Sequence, residues 1–573
     1  MTQAKNFSPE KLGYPIFLGS LIFYFLFKLP LNFSVLCGSS NEGYYFLYGQ
    51  FLLNGKGFGY ISSPLLKLFY AAILKIFKFG PGSIIAVHFI QTTIVISIGV
   101  LIYLIVNEVL KSKFYAGLSV LFLVLIMITP IGDWGSYLEL ESSIALESEY
   151  FCVFLSLLSI YCFLRAIDRK HYKLFSFMSG FLTLSSAFFK ASGAVLAIAV
   201  FCWLIYLLIF ERELLSSILY NFVYFYIGFF LSLLGIILLI TVLDKDIVFS
   251  WQSLFILSNY STSYLASIKN CLHMILSAMQ RSESHFILSN FILFAVSFLS
   301  LAVGLLRGCF FKREKLLARL FIPLLAIWFL GNFCAVIAPG AYGSYYYILL
   351  WPSVSIFLIV GLKNLFDIFP FAANKYFKFT VILFISFFFI SRIWIVLPAH
   401  INLAKLNIKS SFFLQPQLFQ YPVVSYDIKK TERYQVLNVA DIINSLLPDK
   451  NDKVYIFHFS KKLSYFNPSI YIYIERLPPT LIICDYLHYN KFIKQFSARL
   501  ISDLEKEPPK IIITPQVFYL RQREVTKSDI QPLLDWLDIF LNKKYKLKFI
   551  LYNKDKPTEE TTAQDIYGIY ERI

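Results

Sequence analysis

The chain has 573 residues, 58% of them hydrophobic, with a mean hydropathy of +0.65 and a formal net charge of +17. Soluble globular chains run about 45–50% apolar, so the composition excludes that class. The positive charge does not mark a nucleic-acid binder, because Lys and Arg gather in short loops between apolar runs, where the positive-inside rule accounts for them.

A run of roughly 20 apolar residues crosses about 30 Å of hydrocarbon. The pattern predicts about eleven such spans, near 14–36, 83–107, 114–131, 147–164, 174–189, 191–210, 219–243, 286–306, 317–337, 344–362 and 377–397. Met1 to Tyr14 carries Lys5 and Lys11 and no small-residue cleavage site, so it reads as a cytoplasmic lead-in to an uncleaved span.

A first outer loop follows over 37–82. It opens Ser40-Asn41-Glu42-Gly43-Tyr44-Tyr45, then carries Gly55, Gly57, Tyr60 and Pro64 and reads as short amphipathic pieces along the membrane surface. A carboxylate at that boundary can serve as general base toward an acceptor hydroxyl or amine. The plainer reading of Glu42 is a solvated loop charge. On the second span His88 and Gln91 lie one helical turn apart, a cavity pair or a satisfied core histidine.

Lys111 and Lys113, then Arg165, Arg169, Lys170 and Lys173, then Arg307, Lys312, Arg313, Lys315 and Arg319, then Lys363, Lys375 and Lys378 all fall on the N-terminal side, which makes that side cytoplasmic. The opposite loop near 132–146 has Asp133, Glu139 and Glu141 and no Lys or Arg. Glu147 and Glu149 open the fourth span, where a helix N-terminus favours acids and where ionisable groups default to function.

Lys190 sits between two apolar runs on the outer side, where positive charge is scarce. It suits a lipid phosphate as a compact point charge; snorkelling to the interface is the alternative. The long outer loop over 244–285 ends with Arg281, Glu283 and His285, which could take a polar head group, and Tyr345, Tyr346 and Tyr347 open the tenth span. Tyr346 or Tyr347 could hydrogen-bond a phosphate or sugar, with an interfacial aromatic belt as the default. The eight cysteines form no C-x-x-C pair, and no metal-ligand spacing appears, so no cofactor is assigned and use of a divalent metal stays open.

Past residue 398 strand-like runs, Val454–Phe457, Leu481–Ile483 and Lys510–Thr514, alternate with helical stretches near 486–505 and 526–543. That alternation predicts a small α/β domain over 398–573, behind a transmembrane domain over 1–397. It carries no catalytic motif, and its Arg476-Leu477-Pro478-Pro479-Thr480 suggests a lid or acceptor-docking role.

With these residues placed, the chain resembles the membrane glycosyltransferases of the GT-C superfold, especially bacterial relatives of protein O-mannosyltransferases and of the lipid A aminoarabinose transferase. The resemblance rests on Asn41-Glu42-Gly43-Tyr44-Tyr45, Asn54-Gly55, Tyr60 and Ser63-Pro64-Leu65 in the first outer loop. It continues through an acid entering the fourth span, Arg165-Ala166, Lys190 after Phe188-Phe189, and Tyr346-Tyr347 before Trp351-Pro352. It ends with Arg476-Leu477-Pro478-Pro479-Thr480 and Ile569-Tyr570-Glu571-Arg572. Each motif is loose; their order and spacing cover nearly the whole chain.

The resemblance implies a polytopic α-helical membrane protein of GT-C type with a small extracytoplasmic C-terminal α/β domain. It implies an inverting transfer of sugar from a polyprenyl-phosphate donor to a lipid, glycan or protein acceptor on the outer face of the inner membrane. Glu42 would be the base, with Glu147 or Glu149 as second acid, and Lys190 would hold the departing phosphate. Asn41 stands where the family usually has Asp, and an amide cannot act as base. Either Glu42 takes that role, or the register is off by one, or activity is altered. A transporter or flippase, which would show pseudo-symmetric halves, and a non-catalytic subunit of an envelope-polysaccharide complex are the competing classes.

Overall fold

The computed structural model describes residues 9–34, 37, 40–58, 63–128, 145–167, 171–210, 212–243, 316–337, 348–368, 440–457, 469–481, 493–515, 527–552 and 566–573, with single positions between 390 and 401. The chain divides into two compact units. One holds Met1–Ser34, Val87–Leu238 and Ser261–Phe412, and the other Val35–Ala86, Leu239–Tyr260 and Phe413–Ile573.

The first unit is helical. Among the described residues five helices are long and apolar enough to cross a membrane: Pro9–Asn32, Pro81–Leu110, Ser148–Ile167, Ala191–Ile209 and Leu219–Leu243. Lys113–Ile128, Phe321–Val336 and Trp351–Lys363 are shorter apolar helices. The predicted span near 286–306 lies outside the described residues, and most of 377–397 does too.

We number the helices α1 (Gly13–Asn32), α2 (Ser40–Leu53), α3 (Pro64–Phe77), α4 (Pro81–Leu110), α5 (Lys113–Ile128), α6 (Ser148–Ile167), α7 (Tyr172–Phe189), α8 (Ala194–Phe210), α9 (Arg212–Leu243), α10 (Leu316–Ile337) and α11 (Trp351–Ile368). Small residues let the membrane helices approach closely, as expected where lipid offers no hydrophobic drive between helices. A Cβ at Gly180 of α7 would meet the Phe225 carbonyl of α9, and one at Gly228 of α9 would meet the Phe177 carbonyl of α7. Hydroxyls knit α6 to α7: Ser159 reaches the Ser179 hydroxyl at 2.9 Å and the Thr183 hydroxyl at 2.8 Å. Before α1, Glu10 caps α5 by accepting the Lys113 N–H at 2.8 Å and the Ser112 hydroxyl at 2.5 Å. That places an acid on the positive end of the α5 dipole.

The second unit joins α2 and α3 to the C-terminal residues. These comprise a helical stretch over 440–446, β1 (Val454–Ile456), α12 (Ile470–Tyr473), α13 (Ile493–Lys506), β2 (Ile511–Pro515), α14 (Lys527–Lys544), β3 (Tyr545–Tyr552) and β4 (Ile566–Arg572). The sheet order is β1-β2-β4-β3, with β1 and β2 parallel and the other pairs antiparallel. Ile511, Ile512 and Ile513 of β2 are all buried, which is why that strand reads as an unbroken apolar run. Leu500 and Leu504 of α13 and Leu533 and Leu537 of α14 close the same core. Tyr44, Leu47, Tyr48 and Phe51 of α2 enter it as well.

One local reading changes. Leu481 sits in a bend, not a strand, and 482–483 lie outside the described residues. In the Arg-Leu-Pro-Pro-Thr knot, Arg476 donates to the Ile474 carbonyl at 2.9 Å, to the Asp449 carbonyl at 3.2 Å, and to Asn444 and the Leu447 carbonyl. A buried guanidinium is thereby spent on carbonyls beyond the end of the 440–446 helix, where cations are favoured. Thr480 of the same knot donates to Asp503 at 2.7 Å.

Candidate active site

In the second unit Glu42 lies in the first turn of α2 and is fully buried. It is therefore not a solvated loop charge. The position lets the helix N-terminus stabilise its carboxylate. Asn41 is helical beside it; its side chain lies outside what is described. One residue on, a Cβ at Gly43 would stand 2.6 Å from the Ser469 backbone nitrogen, so only glycine permits this approach of α2 to the turn before α12.

Tyr473 of α12 accepts the Cys37 N–H at 3.1 Å. Its hydroxyl is held well above the usual phenol range, chiefly by burial, with Cys37 and the Glu42 charge among the other causes. Tyr48 of α2 donates to the Leu481 carbonyl at 3.5 Å.

Lys67 is a charged residue that sequence reasoning missed. It is buried on α3, donates to the Phe58 carbonyl at 3.0 Å, and lies 4.4 Å from the centre of the Tyr48 ring. Such a contact is favourable for an ammonium out of water. Its signal was present in Ser63-Pro64-Leu65-Leu66-Lys67, a lysine one turn into a helix whose one other charge, Lys75, lies in the last turn.

In the first unit the α7–α8 break places Lys190. Its backbone is extended, its N–H donates to the Ser186 carbonyl at 3.1 Å, and its carbonyl accepts the Gly193 N–H at 2.8 Å. From there its ammonium forms an ion pair with Glu149 in the first turn of α6. Glu149 is fully buried while Lys190 keeps 21% of its side-chain surface exposed, so the lysine retains an open side. Ser148 donates to the second Glu149 oxygen at 3.0 Å, and Phe151 stacks on Phe189 with centres 4.5 Å apart. The lysine thus has a fixed anionic partner rather than a free snorkelling chain.

Glu147 is also buried, and both it and Glu149 act electrostatically on Tyr150, whose hydroxyl hydrogen-bonds Gln91. His88, Gln91 and Thr92 are all buried on α4, and Thr92 donates to Asn32 of α1 at 3.0 Å. Lys28 of α1, buried and 5.9 Å from the centre of the Tyr24 ring, is a second charged residue the sequence reading passed over. An ionisable group inside a span is costly and defaults to function. Tyr346, Tyr347, Arg281 and His285 lie outside the described residues. Among the described residues no group of three or more His, Cys, Asp or Glu side chains converges as a metal site.

Against known structures, the chain aligns with ArnT from Cupriavidus metallidurans bound to undecaprenyl phosphate. The match has 10% identity and a TM-score of 0.54, and covers 97% of this chain and 98% of that one. The apo form of the same protein gives 10% identity and a TM-score of 0.53, with 97% of each chain covered. The chain has the GT-C fold. The oligosaccharyltransferase AglB from Archaeoglobus fulgidus aligns at 14% identity over 95% of this chain and 75% of that one, with a TM-score of 0.47 that is too low to carry an argument. No protein-family model matches the sequence, and no curated protein matches it. The five helices long and apolar enough to cross a bilayer make this a membrane protein.

Proposed function

We propose that the protein is an inverting glycosyltransferase that takes a sugar from a polyprenyl-phosphate donor. The observation that carries the reading is the end-to-end fold likeness to ArnT, a structure that holds undecaprenyl phosphate. In this reading about eleven helices span the inner membrane, with the N-terminus cytoplasmic and the α/β layer outside. The acceptor is a lipid such as lipid A, a glycan or a protein.

The chemistry assigned to the chain is simple. An acceptor hydroxyl or amine attacks the anomeric carbon, Glu42 takes its proton, and the bond to the phosphate oxygen breaks with inversion. Its place supports Glu42 in this role: it is a carboxylate buried in the first turn of α2, next to the close approach of Gly43 to Ser469. Lys190 offers a compact positive charge to the departing phosphate, and its pairing with Glu149 fixes where that charge sits. Glu147 is the acid left for orienting the acceptor.

The test is direct. Purified protein in lipid nanodiscs is given polyprenyl-phosphate sugars labelled in the sugar, together with lipid, glycan and peptide acceptors. The reading expects free polyprenyl phosphate and label on one acceptor. A donor that stays intact with every acceptor sinks it.

A further inference from the structure

The one-turn helix α12 carries two tyrosines that hold different parts of the second unit. Tyr471 accepts the Ile456 N–H of β1 at 3.1 Å, which fastens the helix to the sheet. Tyr473 accepts the Cys37 N–H, also at 3.1 Å, across 436 residues of chain. Cys37 lies five residues before Glu42, and Gly43 directly after it. Gly43 is the residue pressed against Ser469, immediately before α12. The same short element therefore grips the chain on both sides of the buried carboxylate.

We propose that Tyr473 is a positioning residue for Glu42: its hydroxyl fixes the entry into α2 while Ser469 fixes Gly43, so the C-terminal residues set the carboxylate's position. This rests on the assignment of Glu42 as base. Reaction rates depend steeply on such placement, and a shift of about 1 Å can cost about a hundredfold. The α/β layer is then neither a lid nor a docking module alone; it is part of what aims the base.

Tyr473→Phe removes only the hydroxyl, and Tyr471→Phe removes the equivalent group facing the sheet. In Tyr473→Phe, kcat falls by about tenfold or more while KM for the donor stays within about twofold, the pattern of a lost transition-state arrangement. Backbone amides over 37–43 also exchange hydrogen faster. In Tyr471→Phe both quantities stay as in the unaltered protein, even if melting falls. Wild-type kcat and exchange in Tyr473→Phe overturn the proposal, as do equal losses in the two variants. If Tyr473→Phe does not fold, Cys37→Pro removes the donor of the same bond and is read the same way. If the unaltered protein consumes no donor, the glycosyltransferase reading falls on its own. The exchange measurement then still decides the grip: faster exchange over 37–43 supports it, and unchanged exchange overturns it.

Discussion

Gly43 and Ser469 touch backbone to backbone, with a Cβ on the glycine standing 2.6 Å from the serine nitrogen and 3.0 Å from its Cα. The helix that bears Glu42 is thus built into the α/β layer rather than laid beside it. Gly43→Ala must push α2 or the Ser469 turn aside, and overpacking of this kind costs about 1–3 kcal/mol. Thermal unfolding of the purified protein should show a lowered midpoint for Gly43→Ala. Gly82→Ala is the control, since nothing lies within 4 Å of its added Cβ, and its midpoint should not fall. Equal shifts in the two would show that the contact is slack.

The Lys190–Glu149 pair is unequal, because the acid is fully buried and the lysine is not. Lys190→Met strands a buried carboxylate, whereas Glu149→Gln leaves an ammonium that can turn to water. Lys190→Met should therefore destabilise more, toward the roughly 3–5 kcal/mol seen when one partner of a buried pair is removed. The double variant should cost less than the sum of the singles, by about 0.5–3 kcal/mol. Additive losses in a double-mutant cycle would mean the pair is incidental.

Arg476→Lys tests whether the Arg-Leu-Pro-Pro-Thr knot is structural. One ammonium cannot reach the Asn444 side chain and the Ile474, Leu447 and Asp449 carbonyls together. Each buried acceptor left unmet costs about 1–3 kcal/mol, so the melting midpoint should drop by several degrees. Transfer per folded molecule should stay near normal. Lost transfer with an unchanged midpoint would instead make Arg476 part of the chemistry.

Glu42→Gln keeps the shape of the side chain and removes the base. General-base catalysis contributes about 10²–10⁴-fold, so the transfer rate should fall by that order with the melting midpoint retained. A variant that transfers at the normal rate would remove Glu42 from the mechanism and return attention to its neighbour Asn41.

The sequence alone was enough to place apolar helices at 14–36, 83–107, 147–164, 191–210 and 219–243, because burying a span in hydrocarbon needs about 20 apolar residues in a row and nothing from elsewhere in the chain. It also singled out Glu42, Glu147, Glu149 and Lys190 as candidate charges, without choosing between Glu147 and Glu149 and with a solvated loop charge as the plainer reading of Glu42. The strand pairing β2 with β4 was not legible: Ile511–Pro515 and Tyr567–Glu571 are far apart in sequence, and their register depends on long-range packing.

The partners of the marked charges were hidden for the same reason. Lys190 meets Glu149 across 41 residues, and Tyr473 meets Cys37 across 436. Local pattern reports how one segment meets its solvent; which two distant segments share a hydrogen bond depends on close packing of the whole unit. Sequence thus determined that this is a membrane protein with an acid after its first span. Only the tertiary structure decided that the acid is buried, in a helix gripped by residues from the far end of the chain.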